Sequence, residues 1–457
     1  MASISAKKQT LPPQSYVYLH VIFWSTLLLR LFYLWNIQAN LLVEDAGQYF
    51  QMGLLLLHDE VFTPFWPPGL PIVLAGFMRL FGENPFVSSF SMLIYYGLFM
   101  WGIWKSLQYL QLSNLSHECF LIIGVFPAFI HHAVVPLTHL PVATYLVLLF
   151  LWTISYLRTL TSRYLIGIGI LLTLLVLTRP SSLLLAIVLP LYLWYKTQFR
   201  WTSITLPLII FTLGVGMWEM HVYHMTHRFI WINEANSRNF FLGNNPYTDS
   251  YKTWWLGSHH TDDHQFLEYQ NRILALPDSE QGKAYTQLAI SHIKTNPVDF
   301  LLRSFNRFRV FWAFDTFTGA TYLQDYQGNR WIGVLFLLLD AVCYCLILFG
   351  AIFLFPFVWL RKQFYTIPLI LIGAFTFLYA FPYWLAFSHP TYHLPILSFI
   401  LLIALIGYRE MKYTIAPKGL CHISWSSIPL WGRKWILTLG AFGIYIQLEW
   451  IFRMLLS

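Results

Sequence analysis

The sequence predicts an all-α, polytopic membrane protein. Three observations carry that class. The 457-residue chain is 57 % hydrophobic and only 11 % charged, where soluble domains carry about a quarter charged residues. Apolar runs of about 18 residues recur, each able to cross a hydrocarbon core of about 30 Å as a helix. The short loops on one side of those runs, finally, are rich in lysine and arginine and poor in acidic residues.

The candidate spans are 16–36, 86–106, 118–135, 140–157, 164–178, 181–196, 202–220, 331–356, 364–386, 393–408 and 435–455, about 11 helices, with the fifth and sixth short for a crossing. The first follows Lys7 and Lys8, exceeds a signal-peptide core and lacks a small-residue cleavage site. It reads as a retained helix with a cytoplasmic N-terminus. Threading the spans from there places Lys105, Arg158, Arg163, Lys196, Arg200, Arg361, Lys362, Arg409, Lys412, Lys418, Arg433 and Lys434 in the cytoplasm as well. With Lys7 and Lys8 these make half of the 28 cationic residues, and only Glu118 and Glu410 accompany them. The net charge of +8 is therefore a topology signal, and no nucleic-acid partner is expected. Cys119 and Cys421 map to the cytoplasmic side and Cys343 and Cys345 to a span, so no outer disulfide is expected. The sequon at Asn114 maps inside too.

This threading divides the chain into an N-terminal transmembrane bundle (1–220, including an outer loop at 37–85), an extracytoplasmic domain (221–330) and C-terminal transmembrane helices (331–457). The outer segments hold 15 of the 20 acidic residues, so chemistry is expected on that face. In the first outer loop, residues 45–57 read as a juxtamembrane helix ended before TPFWPPG, and 69–82 as a second ended by GENP. Asp45, Tyr49 and Met52 share one face of the first. In the second outer segment FLGNNPYTDSY (241–251) is turn chemistry, with some strand expected nearby. Residues 280–294 are helical, Asn296-Pro297 breaks the pattern, and 298–314 resumes as an aromatic, interfacial helix bearing Arg303, Arg307 and Arg309.

Taken in order, the acidic pair Glu44-Asp45 followed by Tyr49, the PPG segment, LLTLLVLTRPSSLLL at 171–185, FLGNNP at 241–246 and HPTYHLPI at 389–396 resemble the polytopic GT-C glycosyltransferases. The nearest types are the protein O-mannosyltransferases and aminoarabinose transferases, which use polyprenyl-phosphate sugars. The resemblance spans about residues 16 to 408. It implies a helical bundle with its site at the outer face, an Asp in the first outer loop as catalytic base, and inverting transfer of a sugar from a lipid phosphate. Asp45 matches that base. Relatives often carry an acidic residue directly after it, where this chain has Ala46 with Glu44 on the other side. His139 in PLTHLP stands where relatives often have a second acid. Thr391 replaces the Arg that usually precedes the Tyr matched by Tyr392, while the TRP element keeps Arg179.

Such a transfer needs a base for the acceptor proton, cations or donors for the departing phosphate, and a groove for the lipid. Asp45 suits the base, or alternatively caps a helix N-terminus. Glu44 would steer the acceptor or hold a cation, or else is solvated, as Asp59 and Glu60 are expected to be. Arg179 suits phosphate or an interfacial snorkel; Arg303 and Arg307 suit phosphate or lipid headgroups. His389, Tyr392 and His393 could donate to the phosphate or simply pack. His131, His132, His139, His389 and His393, and HHTDDH at 259–264, invite a divalent metal, but neither stretch has a ligand pattern that supports one. Asp340, inside a span, reads as a structural carboxyl. The expected partners are the bilayer, a polyprenyl-phosphate sugar donor and an extracytoplasmic acceptor, in a bacterial inner membrane. A flippase of the same lipid, or a non-catalytic subunit, are the alternatives. The sugar and the acceptor are not legible.

Overall fold

A computed structural model describes residues 13–248, 250, 264–360, 362–415 and 428–456. Lys7, Lys8, Arg361, Lys418, Cys421 and residues 259–263 of HHTDDH lie outside the described residues.

The chain runs α1 (Pro13–Ile37), α2 (Glu44–Leu57), α3 (Gly69–Phe81), α4 (Pro85–Tyr109), α5 (Ser116–Val125), α6 (Pro127–His131), α7 (His139–Thr159), α8 (Ser162–Thr178), α9 (Leu183–Lys196) and α10 (Thr202–Thr226). Then come α11 (Ala235–Gly243), α12 (His264–Leu274), α13 (Asp278–Thr295), α14 (Pro297–Phe311) and α15 (Phe317–Gln324). The chain ends with α16 (Arg330–Leu360), α17 (Lys362–Leu385), α18 (Leu394–Ile415) and α19 (Leu430–Leu456). No strand occurs among the described residues, so the strand expected near 241–251 is absent there. Eight helices, α1, α4, α7, α10, α16, α17, α18 and α19, are long and apolar enough to cross a membrane. The apolar windows of α7 and α18 are 78 % and 83 % buried against 22 % for α1 and 28 % for α10 and α16. The former pair is therefore the centre of the bundle, and the latter present apolar faces to lipid.

The expected span at 118–135 is not one helix. Proline has no amide hydrogen, so Pro127 ends α5 and restarts the chain as α6. A break at bilayer depth has to satisfy its freed backbone groups inside the protein. Here Arg30 of α1, wholly buried, donates to the carbonyls of Gly124 at 3.0 Å and Ile123 at 3.4 Å. On the other side Asp340 of α16 accepts from the Ala128 amide at 2.9 Å. Asp340 is thus a structural carboxyl that caps α6. Gly124 lets α1 approach, since a Cβ there would lie 2.2 Å from Thr26 Cγ2. Arg30→Met strands both carbonyls and is expected to cost about 1–3 kcal/mol, read as a lower unfolding midpoint in detergent; an unchanged midpoint would refute the account.

Between α10 and α16 the helices dock through side chain to backbone bonds. Arg307 of α14, fully buried, donates to Trp384 O at 2.8 Å, Ala386 O at 3.2 Å, Asn244 Oδ1 at 3.2 Å and also to Gly243 O. It joins α14 to the ends of α11 and α17. Gly243 is required there, because a Cβ would fall 1.5 Å from Ala386 O. Arg303 holds Asp299 at 2.6 Å and the Thr248 hydroxyl at 3.3 Å. Asn244 and Asn245 of the FLGNNP turn satisfy the last carbonyls of α11, Asn245 Nδ2 reaching Phe241 O at 3.1 Å and Leu242 O at 3.0 Å. The opposite face of α14, with Val298, Leu301, Leu302 and Phe305, is exposed and apolar. α14 stops at Phe311, short of the expected 314, and a short loop holding Asp315 leads into α15.

Candidate functional site

A cavity of about 180 Å³ opens where α6 ends and α7 and α18 begin. Its polar lining is Glu44 and Asp45 from the start of α2, His131 from α6, His139 from α7, Thr321, Asp325 and Tyr326 from α15 and the turn after it, and His389, Thr391 and Tyr392 from the turn before α18. Three long segments of intervening chain separate these four groups in sequence, and the fold brings them to one place.

Glu44 and Asp45 are exposed at the rim. The residue flanking α2 is Val43, in extended conformation and without a side-chain cap, so Asp45 stands inside the first turn and is not the helix cap. The helix dipole there favours its ionised form. Glu44 has φ 47°, a left-handed conformation that costs a non-glycine residue about 1–3 kcal/mol and tends to occur at functional sites. One turn further on, Tyr49 is buried and hydrogen-bonds Thr138. It lies within electrostatic reach of both Asp45 and Arg179, and burial holds its phenol well above the usual range.

Arg179 ends α8. Pro180 disfavours helical geometry for the residue before it, and Arg179 is accordingly extended at φ −143°, ψ 93°. Its Nη2 donates to His139 Nε2 at 3.0 Å and its guanidinium carbon stands 5.0 Å above the Tyr392 ring. Tyr49, Tyr379 and Tyr383 are also within electrostatic reach. None of the described ion pairs includes this guanidinium, and its Nε has no hydrogen-bond partner among the described residues. Arginine only donates, so His139 Nε2 accepts and the ring proton sits on Nδ1. That nitrogen, on a residue lining the cavity, is buried and has no partner among the described residues. Among the described residues the site thus combines exposed carboxylates at its rim, an unused N–H in its lining and, behind its wall, a partly buried cation with no carboxylate partner.

Several residues expected at the site lie elsewhere. Arg303 and Arg307 do not line the cavity; their donors are committed to the docking of α14 described above. His393 is 1 % exposed, hydrogen-bonded by Nδ1 to Phe311 O at 2.8 Å and stacked on Tyr344. Asp59 and Glu60 are exposed in the turn after α2, away from the cavity. His132 packs 4.5 Å from His139, ring to ring, behind the lining. Among the described residues no group of three or more His, Cys, Asp or Glu side chains could hold a metal ion. Conversely, Asp325, Tyr326 and Thr321 line the cavity without having been expected there, and so does His131, which the sequence raised only as one of several outer histidines; α15 carries no motif, and only its place among the outer acidic residues hinted at it.

The chain is a multi-pass α-helical membrane protein. No family model matches it, and no curated protein or solved structure matches it significantly.

Proposed function

We propose that this protein is an inverting GT-C-type glycosyltransferase that moves a sugar from a polyprenyl phosphate to an acceptor outside the cytoplasm. The observation that carries the reading is the placing of Arg179, a guanidinium without a counter-ion among the described residues, behind the wall of a cavity whose rim holds the Asp45 carboxylate. In the proposed reaction Asp45 takes the proton of the acceptor hydroxyl or amine as that atom attacks the anomeric carbon. The bond from carbon to the phosphate oxygen breaks, and its electrons leave with the lipid phosphate. Arg179, Tyr392 and the His139 Nδ1–H stabilise the departing anion. A single displacement inverts the anomeric centre. Thr391, where the resembling enzymes have an arginine, contributes no charge; the guanidinium of Arg179 above the Tyr392 ring supplies it from another helix.

The finer architecture belongs to the same proposal. α1 and the α5–α6 pair run in parallel, since Tyr18 meets His117 near their starts and Tyr33 meets His131 near their ends. That supports counting the broken pair, and the shorter α8 and α9, as passes in an 11-pass bundle, with α11 to α15 as an outer cap. We place the N-terminus in the cytoplasm and the protein in a bacterial inner membrane, with the cavity facing outward, as the lysine and arginine distribution favours.

The test is to reconstitute the full chain in proteoliposomes with radiolabelled polyprenyl-phosphate sugar and cell-envelope acceptors. Labelled product together with released polyprenyl phosphate is the expected result. Label crossing the bilayer without a new covalent product would replace the reading by a flippase. Neither event would leave a non-catalytic subunit.

A further inference from the structure

A second cavity, of about 340 Å³, lies between α16, α18 and α19 and is covered at one end by α14. Its lining side chains are all aliphatic or aromatic. Leu348, Ile352, Leu439 and Phe442 among them are half-buried, so the cavity opens towards the bilayer. A cavity of about 150 Å³ with such a lining stays dry and takes an apolar molecule, and this one has about twice the room. Trp435 closes the far end, its indole donating to Ile352 O at 3.2 Å and its ring stacked on Phe355. Phe308 and Trp312 of α14 cover the near end beside Ile446. From Trp435 to Ile446, α19 climbs about 16 Å, about half of a hydrocarbon layer of roughly 30 Å. The slot therefore has the length of one chain in one leaflet.

Polar groups stand just beyond the α14 end. Arg309 follows Phe308, and Glu449 comes three residues, about one turn, after Ile446. Arg309 is 5 % exposed; its Nη1 pairs with Glu449 at 3.0 Å and donates to the Tyr445 hydroxyl at 3.3 Å. Its Nε is buried and has no hydrogen-bond partner among the described residues, and Glu449 is shared with Arg453. Tyr445 is exposed and accepts from Arg309, which leaves its own hydrogen for an acceptor from outside. An apolar slot of one chain's length, with a guanidinium N–H and a phenol O–H at its mouth, matches an amphiphile whose chain ends in a phosphate.

We propose that this slot binds a membrane phospholipid, with one acyl chain between α16 and α19 and its phosphate held by Arg309 and Tyr445, so that the lipid fastens α14 to α19. The occupant is a phospholipid of the bilayer and not the tail of a polyprenyl phosphate held at Arg179. The two cavities share no lining residue. Phe311, Tyr344 and His393 stand between them, each at most 1 % exposed, with the His393 ring stacked on Tyr344 at 4.4 Å. Tyr344 is one turn from Leu348 of the slot and His393 is next to Tyr392 of the first cavity, so this packed layer closes the path to a chain. Lipid binding here does not depend on sugar transfer. The exposed apolar face of α14, with Leu448 and Phe452 of α19, gives the second acyl chain a surface outside the slot.

The experiment is native mass spectrometry of the full chain, released from detergent micelles that carry either dioleoyl-phosphatidylglycerol or dioleoylglycerol, which has the same chains and no phosphate. One phosphatidylglycerol is expected to stay bound, about tenfold tighter than dioleoylglycerol, the worth of a hydrogen bond to a charged group. Arg309→Gln should abolish that preference; Glu449 keeps Arg453 as a partner, so no carboxylate is stranded. Ala351→Phe and Leu439→Trp fill the slot. Each should reduce retention of both lipids by about tenfold and remove the rise in unfolding temperature that bound phosphatidylglycerol gives the parent. Added polyprenyl phosphate should leave the phosphatidylglycerol in place. Equal retention of the two lipids by the parent, or retention unchanged in both filled variants, would overturn the proposal. So would displacement by polyprenyl phosphate at equal concentration, which would give the slot to that lipid instead. Should Arg309→Gln fail to fold, the parent's preference decides together with Tyr445→Phe, which should lower it about threefold.

Discussion

Asp45→Asn is expected to lower sugar transfer by about 10²–10⁴-fold, the usual contribution of a positioned general base, while the protein still binds its lipid phosphate donor. Asparagine has nearly the same shape and keeps a side-chain oxygen, so the first turn of α2, which Asp45 does not cap, should form as before. The loss would thus report proton acceptance and not folding. Asp45→Glu moves the carboxylate outward by one methylene and should retain part of the activity. Glu44→Gln provides the control from the same rim: as the neighbouring carboxylate it should cost far less. Transfer that persists at the parent rate in Asp45→Asn, at equal expression, would remove the base from the mechanism.

Arg179→Gln should be as damaging for a different reason. The guanidinium is a strong cation that the fold sets against the cavity wall, through His139 and Tyr392. Its removal is expected to weaken binding of a polyprenyl phosphate and to lower transfer by about 10²–10³-fold, the scale measured for losing one preorganised donor to a developing oxyanion. Lysine at the same position keeps the charge but loses the planar fork, and should recover only part of the loss. The informative comparison is between donors: binding of a neutral polyprenol should be insensitive to Arg179→Gln, and an equal loss for both lipids would mean that the arginine only supports the structure.

Much of this was legible in the sequence. The juxtamembrane helices α2 and α3 end within a residue of the expected 57 and 82, the second at the stop signals Gly82 and Pro85, because glycine and proline act on local geometry. Asp45 and Tyr49 lie within electrostatic reach of each other because they stand one turn apart on one helix face, although only Asp45 lines the cavity. The motifs also pair in space. A Cβ on Gly69 of PPG would lie 2.2 Å from Thr178 Oγ1, next to Arg179, and Asn244 of FLGNNP bonds Leu385 O a few residues ahead of HPTYH. Other features were hidden for physical reasons. An arginine in a polar segment has the same composition whether it meets phosphate or backbone carbonyls, so Arg303 and Arg307 could not be separated from true anion ligands by inspection of the sequence. Hydropathy averages over a window, and an isolated proline in an apolar run leaves that average intact; the break at Pro127 depends on Arg30 and Asp340, about 97 and 213 residues away. Asp315 lacks any local pattern, since its partner Thr391 lies on another part of the chain.

The brevity of α8 has a consequence for the surrounding lipid. Its 17 residues rise about 25 Å, less than the roughly 30 Å of a typical hydrocarbon layer, and Ile166 and Ile170 on its surface are exposed. In the 11-pass bundle proposed above, a leaflet that wets this flank would dimple to follow it. Headgroups are thereby drawn down towards Arg179 at its end, so that the protein meets an amphiphile partway and spares it part of the climb out of the oil.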